Sequence, residues 1–315
     1  MSVPELGGRG PLIRTFSVHC RQRFGMGVGK VPLDVGIPCP NRVQGGCIYC
    51  RPASFTPGYL SGSDGIMTQL TRGKQQLLPG RFSHYFGYFQ QETTTALAPD
   101  KLLPLLASVL ADPQCLGLIL STRPDYLPTE LLERLSALVH LSGKECLLEL
   151  GLQSLQEKSL RLLNRNHSVE DFFSAAQRVR DQGNLELGVH LIMGIPGESV
   201  AEMEATLSGV LACGIQALKL HHLQVIADTP LHSLHLRQNL SLFTLEGYLE
   251  LLLRLLPLIP ADITIHRLWS TSHPDILVAP RWQVLPSTLS PRLQRLLAAR
   301  KLFQGCRSQG RNSSA

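Results

Sequence analysis

Residues 31–50 read V-P-L-D-V-G-I-P-C-P-N-R-V-Q-G-G-C-I-Y-C. The first part, Val31 to Ile37, is a short apolar run of strand length. The rest is a loop in which Cys39, Cys47 and Cys50 are spaced C-x7-C-x2-C. Gly45 and Gly46 let that loop adopt unusual backbone angles and bring peptide N–H groups close to a bulky anion. A strand that runs into a loop of thiols predicts a ligand site at the carboxyl end of a parallel sheet.

The chain outward from this loop alternates short apolar runs with amphipathic stretches. Strands are expected at His84–Phe89, Gly117–Ser121, Leu147–Leu150, Leu187–Met193 and Ala217–Leu223, in addition to Val31–Ile37. Helices are expected at 65–78, 99–110, 127–140, 155–163, 169–181 and 199–213. Ser168 and Asp171 form a capping-box signature for the helix from Val169. Six strands alternating with helices pair in parallel through right-handed crossovers. The expected fold class is α/β, an incomplete (β/α)6 TIM-like barrel, with an open doubly wound sheet as the alternative. After about Ser241 the rhythm changes to a Leu-rich helix, 245–256, a strand, 263–268, and a Pro-punctuated stretch. The expected organisation is an N-terminal extension (1–27), the partial barrel (28–240), a small C-terminal α/β subdomain (241–307) and a disordered tail (308–315).

Composition bounds the function. Hydrophobic residues make up 43% of the 315 residues and charged residues 17%, so a full core is available and a disordered or coiled-coil chain is excluded. The net charge of +6 permits a nucleic-acid partner without demanding one. No secretory signal is seen, and the most apolar stretch, Tyr248 to Pro260, is too short and too broken by Glu250, Arg254 and Pro257 to span a bilayer. A cytoplasmic protein with no membrane partner is expected. Five of the eight cysteines, Cys20, Cys115, Cys146, Cys213 and Cys306, are scattered singly, unlike a secreted disulfide framework.

Three grouped thiols suit a cuboidal iron–sulfur cluster held at three corners, because thiolates are its usual ligands. The fourth iron is then open to an exogenous ligand, and an open metal site is the reactive kind. A zinc site, three cysteines with His19 or another histidine, is the alternative; an iron–sulfur electron carrier is a third reading.

The ordered set of motifs resembles one family. The cysteine loop with Tyr49 before its last cysteine is similar to the signature of the radical S-adenosylmethionine (SAM) superfamily. Residues 23–42, Y-F-G-Y-F-Q at 85–90, S-T-R-P-D at 121–125, E-L-G-L-Q-S at 149–154 and L-L-N-R-N-H at 162–167 resemble its YhcC-like family, relatives of the radical SAM domain of the Elongator catalytic subunit. H-L-I-M-G-I-P-G-E at 190–198, K-L-H-H-L at 219–223 and L-V-A-P-R-W at 277–282 complete the likeness.

The resemblance implies a 4Fe-4S cluster on Cys39, Cys47 and Cys50. It also implies SAM as second cofactor, an external one-electron reductant, and reductive cleavage of SAM to a 5′-deoxyadenosyl radical acting on an unassigned substrate, with RNA a candidate. It places Tyr49 beside the adenine, the segment from Gln90 at the SAM amino group, and Gln153 and Arg165 at the ribose and carboxylate. His190 falls where some relatives bind ribose, and the turn Gly194–Pro196–Gly197 falls against the adenine. Two departures stand out: Ala96 sits where relatives carry tyrosine, and the loop from Cys39 to Cys47 is shorter than theirs.

Overall fold

In the computed structural model of the chain, the described residues are 10–61 and 63–308. The elements in order are α1 (Phe16–Phe24), β1 (Gly29–Leu33), α2 (Ile66–Leu77), β2 (Tyr85–Phe89), α3 (Pro99–Leu110), β3 (Cys115–Thr122), α4 (Thr129–Ser142), β4 (Glu145–Gln153), α5 (Glu157–Leu162), α6 (Val169–Asp181), β5 (Glu186–Met193), α7 (Val200–Ala212), β6 (Ala217–His222), β7 (Val225–Ile226), α8 (Pro230–Gln238), α9 (Leu245–Leu255), β8 (Thr264–Arg267), β9 (Leu277–Ala279) and α10 (Pro286–Ala299). Seven strands form one sheet in the order β1-β2-β3-β4-β5-β6-β8, every pair parallel, curled into a half-barrel. The sheet thus has one strand more than the six expected. The extra strand, β8, comes from the segment 241–307, which shares the barrel sheet rather than standing apart from it. β7 and β9 make a separate antiparallel pair.

Strand periodicity explains the layering. Successive side chains point to opposite faces. Leu148, Leu150 and Leu152 of β4, Leu187, Val189 and Leu191 of β5, and Leu218 and Leu220 of β6 pack outward in the main core with the helices. Inward-facing positions stack in tiers along the barrel. The lowest tier is apolar: Val28, Phe86, Ile119, Leu147 and Ala217, closed by Phe16 and Cys20 of α1. The middle tier is polar and includes Lys30, Ser121, Glu149, His190, Lys219 and His266. Above it lies the open end, into which the cysteine loop folds.

The N-terminal extension therefore contains a plug. Thr15 caps α1 by accepting from the Val18 N–H, and Gly25 ends it with φ +71°. Just before it, Thr15 bridges Ile265, and the Ile265 N–H donates to the Arg14 carbonyl at 2.8 Å. That pairing covers the outer edge of β8. The capping box on α6 forms as expected, with Ser168 accepting from the Asp171 N–H and Asp171 accepting from the Ser168 N–H. α10 lies in and beyond the stretch expected only to be Pro-punctuated; Pro286 opens it and Pro291 lies inside it. The expected disordered tail falls outside the described residues except Ser308, whose N–H donates to Gly305. Among the described residues, no helix is long and apolar enough to cross a membrane.

Candidate active site and metal centre

The cysteine loop leaves β1 and packs over the carboxyl ends of the strands. All three of its cysteines are free thiols. Two of the thiols are met by hydrogen-bond donors. The Thr93 hydroxyl, after β2, donates to Cys39 Sγ at 3.1 Å. Asn41 Nδ2 and Arg165 Nη1 donate to Cys47 Sγ at 3.2 and 3.1 Å. Donors aimed at sulfur favour thiolate over thiol. Burial pushes the Cys47 thiol up, but Arg165 and Asn41 outweigh it and hold it below its ordinary value. Among the described residues no such donor meets Cys50, and burial together with the neighbouring Cys47 pushes it up to about 12.

An asparagine clasp fixes the loop. Asn164 and Asn166 sit at φ +52° and +51° on either side of Arg165. Asparagine tolerates this left-handed region far better than most residues. The bend turns both amides back onto the loop: Asn164 Nδ2 donates to the Gln44 and Gly46 carbonyls at 2.9 and 2.7 Å, and Asn166 Nδ2 donates to Asn41 Oδ1 at 2.8 Å. On the other side, Glu92 accepts from the Cys39 N–H at 3.1 Å and from Arg42 at 2.7 Å. Arg165 itself is buried and donates to Cys47, to the Tyr49 hydroxyl at 3.3 Å and to the Gly151 carbonyl. Gly151 leaves room for this contact: a Cβ would lie 3.2 Å from the guanidinium and 3.1 Å from the Gln153 amide, so both side chains would have to give by a few tenths of an ångström.

Beside the loop is a cavity of about 230 Å³. Tyr49, Gln90, Gln153 and His190 line it together with Cys50, so four of the anticipated cofactor residues meet one cysteine there. Arg165 stands behind this wall, on the thiol. Gly194 and Pro196 are not among the lining residues. Gly194, at φ +83°, lies against the Phe243 ring, which a Cβ would approach to 2.7 Å. Sequence reasoning missed Asn41, Glu92, Thr93, Asn164 and Asn166 as holders of the loop. It also left His221, His222 and Arg267 unassigned, although all three line the cavity.

The polar tier forms the cavity floor. Glu149 is almost fully buried, with Lys219 Nζ at 2.5 Å, His190 Nε2 at 3.1 Å and His266 Nδ1 at 3.0 Å. Lys219 also donates to the Tyr88 hydroxyl at 2.6 Å. Burial would raise the Glu149 carboxyl, but Lys219 and His190 hold it well below the usual range. Burial and then Lys219 lower His190 to about 4, burial lowers His222 to about 3, and burial with Lys30 lowers His266 to about 3.

These shifts set a pH dependence. The three histidines are neutral when folded and regain their ordinary value of 6.5 when unfolded. Between about pH 6.5 and 3 the unfolded chain binds more protons, so stability is complete above that window and falls as the pH is lowered through it. Glu149 adds to the loss below its unfolded value of 4.5. Thermal melts at pH 7.5 and pH 5 should show the midpoint falling by about 5 °C or more. An unchanged midpoint would mean that these imidazoles are not buried as drawn.

The donor set fits an iron–sulfur cluster better than a single ion. Among the described residues, no three Cys, His, Asp or Glu side chains converge closely enough to hold one metal ion. His19 lies at the opposite end of the barrel, bonded to Arg14 and lining a cavity beside α1. Three thiols, two of them supplied with charge-stabilising donors, suit a larger iron–sulfide cluster carried on one loop.

A parallel half-barrel with a three-cysteine loop after its first strand defines the class of radical SAM folds. The chain belongs to the radical SAM superfamily, which matches residues 39–208, more than half its length; the Radical_SAM C-terminal domain matches residues 215–288. Members of that superfamily are enzymes that typically use a 4Fe-4S cluster and SAM. Protein YhcC of Escherichia coli K12 is 31% identical over 275 residues, covering 86% of this chain and 87% of its own. The uncharacterized protein MJ0486 of Methanocaldococcus jannaschii is 29% identical over 310 residues, covering 97% and 95%. Among solved structures, the archaeal Methanocaldococcus infernus Elp3 lacking its N-terminus superposes with a TM-score of 0.66 at 19% identity, over 89% of this chain. The chain spans 64% of that longer protein, and the likeness is one of fold.

Proposed function

We propose that this chain is a radical SAM enzyme whose 4Fe-4S cluster is held by Cys39, Cys47 and Cys50. The observation that carries this reading is the cysteine loop itself: three free thiols on one loop at the carboxyl ends of the strands, two with their own hydrogen-bond donors and the third, Cys50, lining the adjacent cavity. Bound there, the cluster would supply the electron, taken from an external reductant, that cleaves SAM to a 5′-deoxyadenosyl radical. The protein's part is to bind, orient and exclude water. Tyr49 offers its ring as a wall for the adenine, and Gln90, Gln153 and His190 offer polar groups to the ribose and the methionine end. The turn at Gly194 and Pro196, which the resemblance sets against the adenine, packs Gly194 against the Phe243 ring. Arg165 neutralises the Cys47 sulfur and braces Tyr49, and so couples the metal loop to the cofactor wall.

This placement changes what an Arg165 variant reports. The resemblance sets it at the SAM ribose and carboxylate, but its contact with Cys47 ties it to the metal loop as well. Gln153 is the cleaner probe, since it lines the cavity and touches no thiol through a hydrogen bond. Anaerobic reconstitution with iron and sulfide, then dithionite and SAM, should yield 5′-deoxyadenosine. The Gln153→Ala variant should keep its cluster absorbance and bind SAM about tenfold more weakly. Zinc bound in place of iron, or a cluster indifferent to SAM, would favour the scaffold or electron-carrier readings.

RNA is the substrate class that the net charge of +6 and the resemblance to the Elongator catalytic subunit support. Such binding should weaken steeply as salt rises, because phosphate contacts release counterions.

A further inference from the structure

We propose that Arg267 seats an anionic group, a carboxylate or a phosphate, carried by the substrate that shares the cavity with SAM. This rests on the reading that the cavity is where SAM meets its substrate.

Arg267 ends β8 and is paired in register with Lys219 of β6. It lines the cavity, and among the described residues its guanidinium has neither a hydrogen-bond nor an ion-pair partner. The other charges nearby are already satisfied. Arg51, also in the lining, is held by Asp228 Oδ2 and the Ala227 carbonyl, both at 2.9 Å. Lys219 in the floor is neutralised by Glu149 at 2.5 Å. No aspartate or glutamate is among the lining residues. Of the lining residues, Arg267 is therefore the one positive charge without a carboxylate partner, presented as a planar fork of donors that matches an oxyanion, while Lys30 in the floor is engaged by the His266 ring at 3.1 Å.

The surroundings suit the same ligand. Thr271 lines the cavity close after Arg267 in the chain, between Ser270 and Ser272, whose hydroxyls donate to the His222 carbonyl at 2.8 Å and to Gln224 Oε1 at 2.7 Å. Burial, with Arg267 next, holds His221 well below its ordinary value, so this neighbour does not add a competing charge. An anion seated on Arg267 would cancel part of that field. SAM itself carries a carboxylate and is the second source of the same chemistry. Arg267 makes no bond to the cysteine loop, where the open iron would draw the methionine end of SAM, and this favours the substrate as source.

The test uses the full chain without cluster or SAM, so its failure is distinct from failure of the radical SAM reading. Inorganic phosphate and acetate are titrated at constant ionic strength and followed by the His221 and His190 imidazole resonances. Wild type should shift, saturably, with at least one of the two anions, and Arg267→Gln should weaken that binding about fivefold or more. Arg267→Lys should fall between them, keeping the charge and losing the fork. The melting temperature of each variant establishes that it is folded. Equal anion binding by wild type and Arg267→Gln overturns the proposal, as does no binding by wild type. In a parallel dialysis experiment, a loss of SAM affinity as large as the loss of anion affinity assigns the seat to the SAM carboxylate and overturns it too.

Discussion

Replacing Cys47 by serine should abolish cluster assembly and cut 5′-deoxyadenosine formation by about 100-fold or more, while leaving the fold intact. Cys47 is the most buried of the three thiols and the one most strongly prepared as a thiolate. A serine hydroxyl fits the space and still accepts from Asn41 and Arg165, so those buried donors keep a partner. What it lacks is the soft, readily ionised sulfur that iron requires. The loop is held independently by Asn164, Asn166 and Glu92, so the stability change without cluster should stay under about 1 kcal/mol by urea unfolding. Visible absorbance after reconstitution and product chromatography read the first two effects. Cys146→Ser is the control: that thiol is fully buried among outward-packed leucines, and its loss should cost stability without touching the cluster. A Cys47→Ser protein that still assembles a cluster and cleaves SAM at wild-type rate would remove this thiol from the centre.

The contrast between the two cysteines shows what the sequence exposes. The grouping of Cys39, Cys47 and Cys50 is local, so it is legible without a fold. The strands were legible for the same reason: each is a compact apolar run, and the alternation with amphipathic helices implies parallel pairing. Boundaries drifted where the local signal was weak. Val31–Ile37 is observed as Gly29–Leu33, because the apolar Val35 and Ile37 already belong to the loop. α1 was not called a helix because F-S-V-H-C-R-Q-R-F has little helical periodicity; it is held by a threonine cap and by packing into the barrel end. α10 was hidden by Pro286 and Pro291, read as breaks.

The holders of the loop were illegible for a different reason. Asn164, Asn166 and Glu92 act across 53 or more residues of chain, on Asn41, Gln44, Gly46 and Cys39, and through positive φ angles that nothing in a single sequence marks uniquely. The paired asparagines around Arg165 were the available hint, since asparagine is enriched in left-handed backbone. The polar floor left a clearer trace. Glu149 in L-L-E-L-G-L and Lys219 in A-L-K-L-H-H each interrupt an apolar strand with a charge, and charges at such positions are buried only when paired.

That pairing carries the second large effect. Glu149→Gln should destabilise the protein by about 3–5 kcal/mol, because it leaves the Lys219 ammonium buried without a counter-charge. Both side chains are at most 5% exposed, so water cannot take over the role of the lost carboxylate. The glutamine can still accept from Ser121, which isolates the charge from the hydrogen bond. Against a typical total stability of about 5–15 kcal/mol, this loss should appear as a lower urea midpoint and less soluble protein at 37 °C. The double variant Glu149→Leu with Lys219→Met tests whether the pair exists for stability. Removing both charges should recover most of the loss, since a buried ion pair gains little over apolar residues of similar size once desolvation is counted. It should not recover the site: Tyr88 would lose the donor at 2.6 Å and His190 its carboxylate at 3.1 Å, and both residues line the cavity. A double variant that folds as well as wild type yet binds SAM or substrate more weakly would assign the pair to shaping the cavity floor. One that stays as unstable as Glu149→Gln would show instead that the barrel interior has no room for an apolar middle tier.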